Sequence, residues 1–111
     1  MRRDYKLYIN DIRESVIQIE EYMKNVSEKD FKNNKQIQDA VIRRLEIIGE
    51  ASRNIPRALK EKNKQVPWLN MIQFRELIAH SYFSTSLQRI WVASTEDLKK
   101  IKESMKKIAL V

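Results

Sequence analysis

Apolar residues recur every three or four positions along most of this chain. Tyr5, Tyr8, Ile9, Ile12, Val16, Ile19, Tyr22, Met23 and Val26 form the first such series and predict a long helix with one apolar stripe. Ser27 and Asp30 have capping-box spacing, which predicts a short helix or turn near residues 28–32. A second long helix starts near Asn34 and turns Ile37, Val41, Leu45, Ile48 and Ala51 inward. Pro56 ends it, because proline lacks an amide donor and disfavours helix at the residue before it. Residues 57–65 read as a short basic helix or a loop. Pro67 suits the first turn of a third helix, roughly Trp68 to Ala79. Thr85 and Gln88 have the spacing that opens a last helix, with Leu87, Ile90, Trp91, Leu98, Ile101, Met105 and Ile108 on one face. Ser94 and Thr95 mark where that helix would break or bend.

The 111 residues include one glycine and two prolines, too few turn formers for a sheet. The expected fold class is therefore all-α: one domain over residues 1–111, an antiparallel bundle of four main helices plus short helical segments. With 42% hydrophobic and 33% charged residues, the chain has the composition of a folded protein. No apolar run approaches the roughly 18 residues that span a bilayer, so no membrane partner is expected. The stretch MRRDYKLYIN has no apolar segment or small-residue cleavage site and does not read as a secretory signal. Cysteine is absent, which excludes disulfides and thiolate–metal sites and fits a cytoplasmic location.

A net charge of +7 favours polyanionic partners, RNA or DNA before anionic membranes. The lysines Lys99, Lys100, Lys102, Lys106 and Lys107 read better as a solvated helix face than as a polyanion site. Charge supports a nucleic-acid partner without establishing one.

Candidate chemistry gathers in FRELIAHSYF. His80 is the chain's only histidine, the side chain best suited to exchange protons near neutral pH. Arg75 precedes it by five residues and can hold a phosphate with its planar fork. On a continuous helix, residues five apart diverge by about 140°, so the two converge only if the helix ends near His80 or a second subunit completes the site. If they meet at a phosphodiester, His80 would transfer the proton of a 2′-hydroxyl or of the leaving oxygen, and Arg75 would offset the developing negative charge. By spacing alone, the better reading is that His80 caps the third helix and Tyr82 is a core residue. Glu46 and Glu50, four apart, could act as paired carboxylates or line a solvated face beside Arg43, Arg44 and Arg53. No zinc-ligand spacing and no Gly-rich phosphate loop is present, so neither a metal nor a cofactor is expected. Trp68 and Trp91 adjoin apolar positions and read as packing residues rather than base-stacking ones.

Three stretches add to this. AVIRRLEIIGEASRNIP (residues 40–56), VPWLNMIQFRELIAHSYF (66–83) and SLQRIWVASTEDLKKIKESM (86–105) resemble the HepT-like branch of the HEPN superfamily, the toxin partners of minimal nucleotidyltransferases. The resemblance covers nearly the whole chain. It implies an all-α fold, a homodimer or higher oligomer, and a metal-independent endoribonuclease with an RNA substrate. The family's Arg-x4-His-x-Tyr motif falls on Arg75, His80 and Tyr82. The resemblance implies Arg75 and His80 as the catalytic pair and Tyr82 as the residue to which a cognate nucleotidyltransferase antitoxin attaches AMP. Bulk and negative charge at that tyrosine would repel RNA. The residue after the arginine is usually Asn or Asp in this family and here is Glu76, which could pair with Arg75 and compete with phosphate.

Three functions follow from this reading. The first is a toxin ribonuclease silenced by AMP transfer. The second is a catalytically weak scaffold that binds RNA or nucleotide and the nucleotidyltransferase. The third is an accessory or antidote subunit of that enzyme.

Overall fold

The computed structural model describes residues 3–79 and 87–108. The first long helix, α1, spans Tyr5–Met23 and is opened by Asp4, whose carboxylate accepts from the Lys6 amide at 2.9 Å. Its stripe is buried at Ile9, Ile12, Val16 and Ile19. The chain then reverses through Asn25, at φ 61°. Asparagine tolerates this left-handed conformation and takes the place a glycine often holds.

The capping box forms as its spacing predicted. Ser27 Oγ accepts from the Asp30 amide at 3.1 Å, and the Asp30 carboxylate accepts from the Ser27 amide at 3.3 Å, opening α2 (Glu28–Lys32). Asn34 caps α3 (Lys35–Arg53) by accepting from the Ile37 amide. Val41, Leu45, Ile48 and Ala51 of α3 are buried, while Ile37 is only partly so. Helix α3 stops at Arg53, and Pro56 serves instead as the N-cap of α4 (Arg57–Lys62), settling residues 57–62 as helix.

Between α4 and α5 (Trp68–Ala79) the buried Asn63 acts as a clasp. Its side chain donates to the Leu59 carbonyl at 2.9 Å, and its own carbonyl accepts from the Trp68 indole at 3.0 Å. Trp68, Met71 and Phe74 carry α5 into the core.

The last helix bends without breaking. Helix α6 (Leu87–Val92) passes through a π-helical turn at Ala93–Asp97 into α7 (Leu98–Met105). The wider turn disturbs the regular backbone ladder. Both Ser94 and Thr95 hydroxyls donate to the Trp91 carbonyl, at 3.0 and 2.7 Å. The sequence located this feature at the right residues. Trp91 is partly buried and meets Phe31 with ring centroids 5.8 Å apart.

Helices α1, α3 and α5 build most of the core, and the last helix closes it. Arg13 lies at the Met105 carbonyl and Glu20 at Lys102, so α1 and α7 run antiparallel. The all-α antiparallel bundle expected from periodicity is the fold observed. Among the described residues, no helix is long and apolar enough to cross a membrane.

Candidate functional site

Arg75 lies two-thirds of the way along α5, one residue after the buried Phe74. Burial of Phe74 faces Arg75 away from the deepest core, and its side chain is 50% exposed. Its backbone is fixed by an unusually close neighbour. Gly49 of α3 packs where a Cβ would stand 3.2 Å from the Met71 carbonyl oxygen, so the two helices meet without an intervening side chain.

The next residue on α3, Glu50, meets Arg75 directly. Its Oε2 lies 2.9 Å from Arg75 Nη1. Asn54, one turn on, donates to the Glu50 carbonyl at 2.8 Å and lies 3.5 Å from Glu50 Oε1, which steadies the carboxylate. The sequence offered Glu76 as an acid that could pair with Arg75. The partner found is Glu50, because adjacent residues on a helix point about 100° apart whereas the α3–α5 contact brings Glu50 opposite. Glu76 is exposed on α5.

A cleft of about 330 Å³ opens beside this pair between α1, α3 and α5, lined by Arg3, Tyr8, Asp11, Arg43, Glu46, Glu50 and Arg75 among others. Glu46 and Glu50 do share a face, each paired with a different arginine: Glu46 with Arg43 and Glu50 with Arg75. Arg3 reaches in from the segment before α1, pairs with Asp11 and lies over the Tyr8 ring at 4.8 Å. The hydrogen bond to Asp11 raises the pKa of the Arg3 guanidinium further, against the opposing effect of desolvation.

Chemically, the cleft offers planar hydrogen-bond forks that match phosphate oxygens, and carboxylates that accept from hydroxyl or amino groups. Among the described residues, no group of three or more His, Cys, Asp or Glu side chains could hold a metal ion. His80 and Tyr82 lie outside the described residues. Sequence reasoning missed Arg3, Tyr8 and Asp11 as members of this cleft. Arg43, Glu46 and Glu50, at positions i, i+3 and i+7, were legible as one face of α3.

Comparison with known proteins gives this geometry a context. Residues 12–108 match the family described as "Ribonuclease HepT-like". A Methanocaldococcus jannaschii protein named "Gamma-glutamylcyclotransferase and putative RNase" is 44% identical over 97% of the chain, which spans about half (49%) of that relative's length. "Probable ribonuclease HepT" of Thermococcus cleftensis is 39% identical, with 97% of this chain and 98% of that one aligned. A second Methanocaldococcus jannaschii protein, named "Putative RNase", is 42% identical over 94% of this chain and 95% of its own. No solved structure is a significant match.

Proposed function

Because the chain belongs to the HepT-like ribonuclease family, we propose that it is a metal-independent endoribonuclease and the toxin of a toxin–antitoxin pair. The observation that carries this reading is the position of Arg75. Arg75 is half exposed and lines a cleft that is also lined by the guanidinium groups of Arg3 and Arg43, and the resemblance puts the arginine of the Arg-x4-His-x-Tyr motif at this position.

In this reaction the ribose 2′-oxygen attacks the adjacent phosphorus. A new 2′-O–P bond forms, the P–O5′ bond breaks, and a cyclic phosphate remains. His80 takes the 2′-hydroxyl proton or supplies the one the 5′-oxygen needs. Arg75 balances the extra negative charge on the phosphorane-like transition state. One histidine per chain leaves the second proton transfer to Tyr82, to water or to His80 of the partner subunit in a homodimer. Glu50 and Glu76 are the supporting carboxylates. AMP transferred to Tyr82 by a cognate minimal nucleotidyltransferase silences the enzyme, since it sets bulk and negative charge where the substrate phosphate belongs.

The test is cleavage of single-stranded RNA in chelator, with the ends analysed for cyclic phosphate. Wild-type chain produces such ends, and Arg75→Ala and His80→Ala each abolish them while the helical fold persists. Undiminished cleavage by the double variant would overturn the proposal. Incubation with the nucleotidyltransferase and ATP adds one AMP per chain, and Tyr82→Phe prevents it.

The Arg75–Glu50 ion pair also favours a second reading, in which a carboxylate already occupies the guanidinium and the chain is a scaffold binding RNA or nucleotide without turnover. Salt-sensitive RNA binding with no cyclic-phosphate product would select that reading.

A further inference from the structure

Three guanidinium groups from three parts of the chain line one cleft: Arg75 from α5, Arg43 from α3 and Arg3 from the segment before α1. Each is held by a carboxylate of the same cleft, Glu50, Glu46 and Asp11 respectively. The charges balance, three against three, so the cleft is not a general trap for anions. What it provides is orientation. Arg3 lies on the Tyr8 ring. Arg43, with its side chain 68% exposed, points its fork at Glu46, itself 45% exposed.

Ion pairs this exposed are weak, because water screens them and both side chains lose freedom in making them. A phosphodiester matches the same fork with two parallel hydrogen bonds. It can therefore take an arginine from its carboxylate with little penalty. The released carboxylate is left as an acceptor within reach of the same ligand. A purely anionic ligand would satisfy the arginines and repel the acids, and a purely cationic one would do the reverse. A ribonucleotide satisfies both, with its phosphate on the arginine and its 2′-hydroxyl on the carboxylate. The volume of about 330 Å³ lies at the small end of ligand sites and suits a single strand rather than a duplex.

We infer that this cleft is a single-strand RNA subsite beside Arg75, in which Arg43 and Arg3 hold phosphates neighbouring the scissile one and Glu46 and Asp11 accept from ribose hydroxyls. The inference rests on the ribonuclease reading for the placement of the scissile phosphate at Arg75, whereas binding itself needs no turnover.

The experiment is fluorescence-anisotropy titration of a short single-stranded oligoribonucleotide, and of DNA of the same sequence, on the full-length His80→Ala chain across a range of salt. Arg43→Gln raises the RNA Kd and flattens the salt dependence by about 0.7 in log–log slope, the value for one lost phosphate contact on a single strand. Adding Arg3→Gln flattens it by about 1.4. Arg43→Lys keeps the slope and loses part of the affinity, because charge remains and the fork does not. Glu46→Leu, which removes the acceptor, narrows the preference for RNA over DNA. Circular dichroism confirms that each variant is folded.

An unchanged Kd and slope in the double arginine variant would overturn the subsite. So would a sedimentation shift of the RNA-free chain with RNA affinity intact, which would assign the cleft to contact between two copies. If the wild-type chain cleaves no RNA while binding still follows Arg43 and Arg3, the ribonuclease reading fails and the subsite stands. If it cleaves and binding ignores both arginines, the subsite fails alone.

Discussion

Gly49 lies against the backbone of Arg75: a Cβ added to the glycine would stand 3.1 Å from the Arg75 amide nitrogen. The chain's one glycine is thus spent at a helix crossing and not in a turn. It sets the distance between α3 and α5, and with it the reach of Glu50 to Arg75.

Substituting Gly49→Ala sets two effects against each other. Alanine favours helix over glycine by about 1 kcal/mol. The added methyl must push α5 away by a few tenths of an ångström, because its contacts at 3.1 and 3.2 Å are with backbone atoms. Stability by urea unfolding should change by less than about 1 kcal/mol, while RNA cleavage falls as Arg75 is displaced. Gly49→Leu should cost stability as well, by about 1–3 kcal/mol, through overpacking.

Replacing Glu50 by glutamine removes the charge from a pair in which both side chains are about half exposed. Thermal unfolding should shift by under about 1 kcal/mol. Cleavage should drop, by up to about a hundredfold, the scale on which a 1 Å misplacement slows a reaction. A rise in cleavage would instead mean that Glu50 competes with phosphate for Arg75.

The Trp68 indole fixes where α5 begins by donating to the Asn63 carbonyl. That carbonyl also accepts from the Val66 amide at 3.1 Å, a bond that Trp68→Phe leaves in place. Equilibrium denaturation should show a loss of about 1 kcal/mol, the value of one net hydrogen bond, plus the change in packed area.

Partial burial lowers the pKa of the Lys60 ammonium on α4 below the usual lysine value. In the unfolded chain Lys60 keeps its proton to higher pH than in the folded one. Between those two pKa values the unfolded state binds more protons, and stability rises with pH. Below that window the charged, desolvated ammonium weakens the fold. Lys60→Met should therefore be more stable than wild type at neutral pH and should lose this alkaline gain when unfolding is followed against pH.

Much of the fold was legible in the residues themselves. The Ser27–Asp30 capping box, the Asn34 start, the Trp68–Ala79 helix and the distortion at Ser94–Thr95 all depend on neighbours within one or two helical turns. At this range a helix is a repeating object, so periodicity and end residues define it. Family membership was legible for a related reason, since long stretches such as IIGEA and FRELIAHSYF carry many residues in fixed order.

The partner of Arg75 was not legible. From sequence the neighbouring Glu76 could pair with it, and the structure sets Glu50, 25 positions earlier on another helix, against it. The same holds for Arg3 and Asp11, which join Arg43 and Glu46 only where the start of α1 lies across α3. Periodicity fixes which face of a helix turns inward but not its height along a neighbouring helix. That height is set by packing, here by one residue without a side chain. The sequence by itself determined the helices and their buried faces, and it singled out Arg75 as a candidate. The tertiary structure decided what that arginine touches and that a cleft opens beside it, because both depend on how closely Gly49 lets two helices approach.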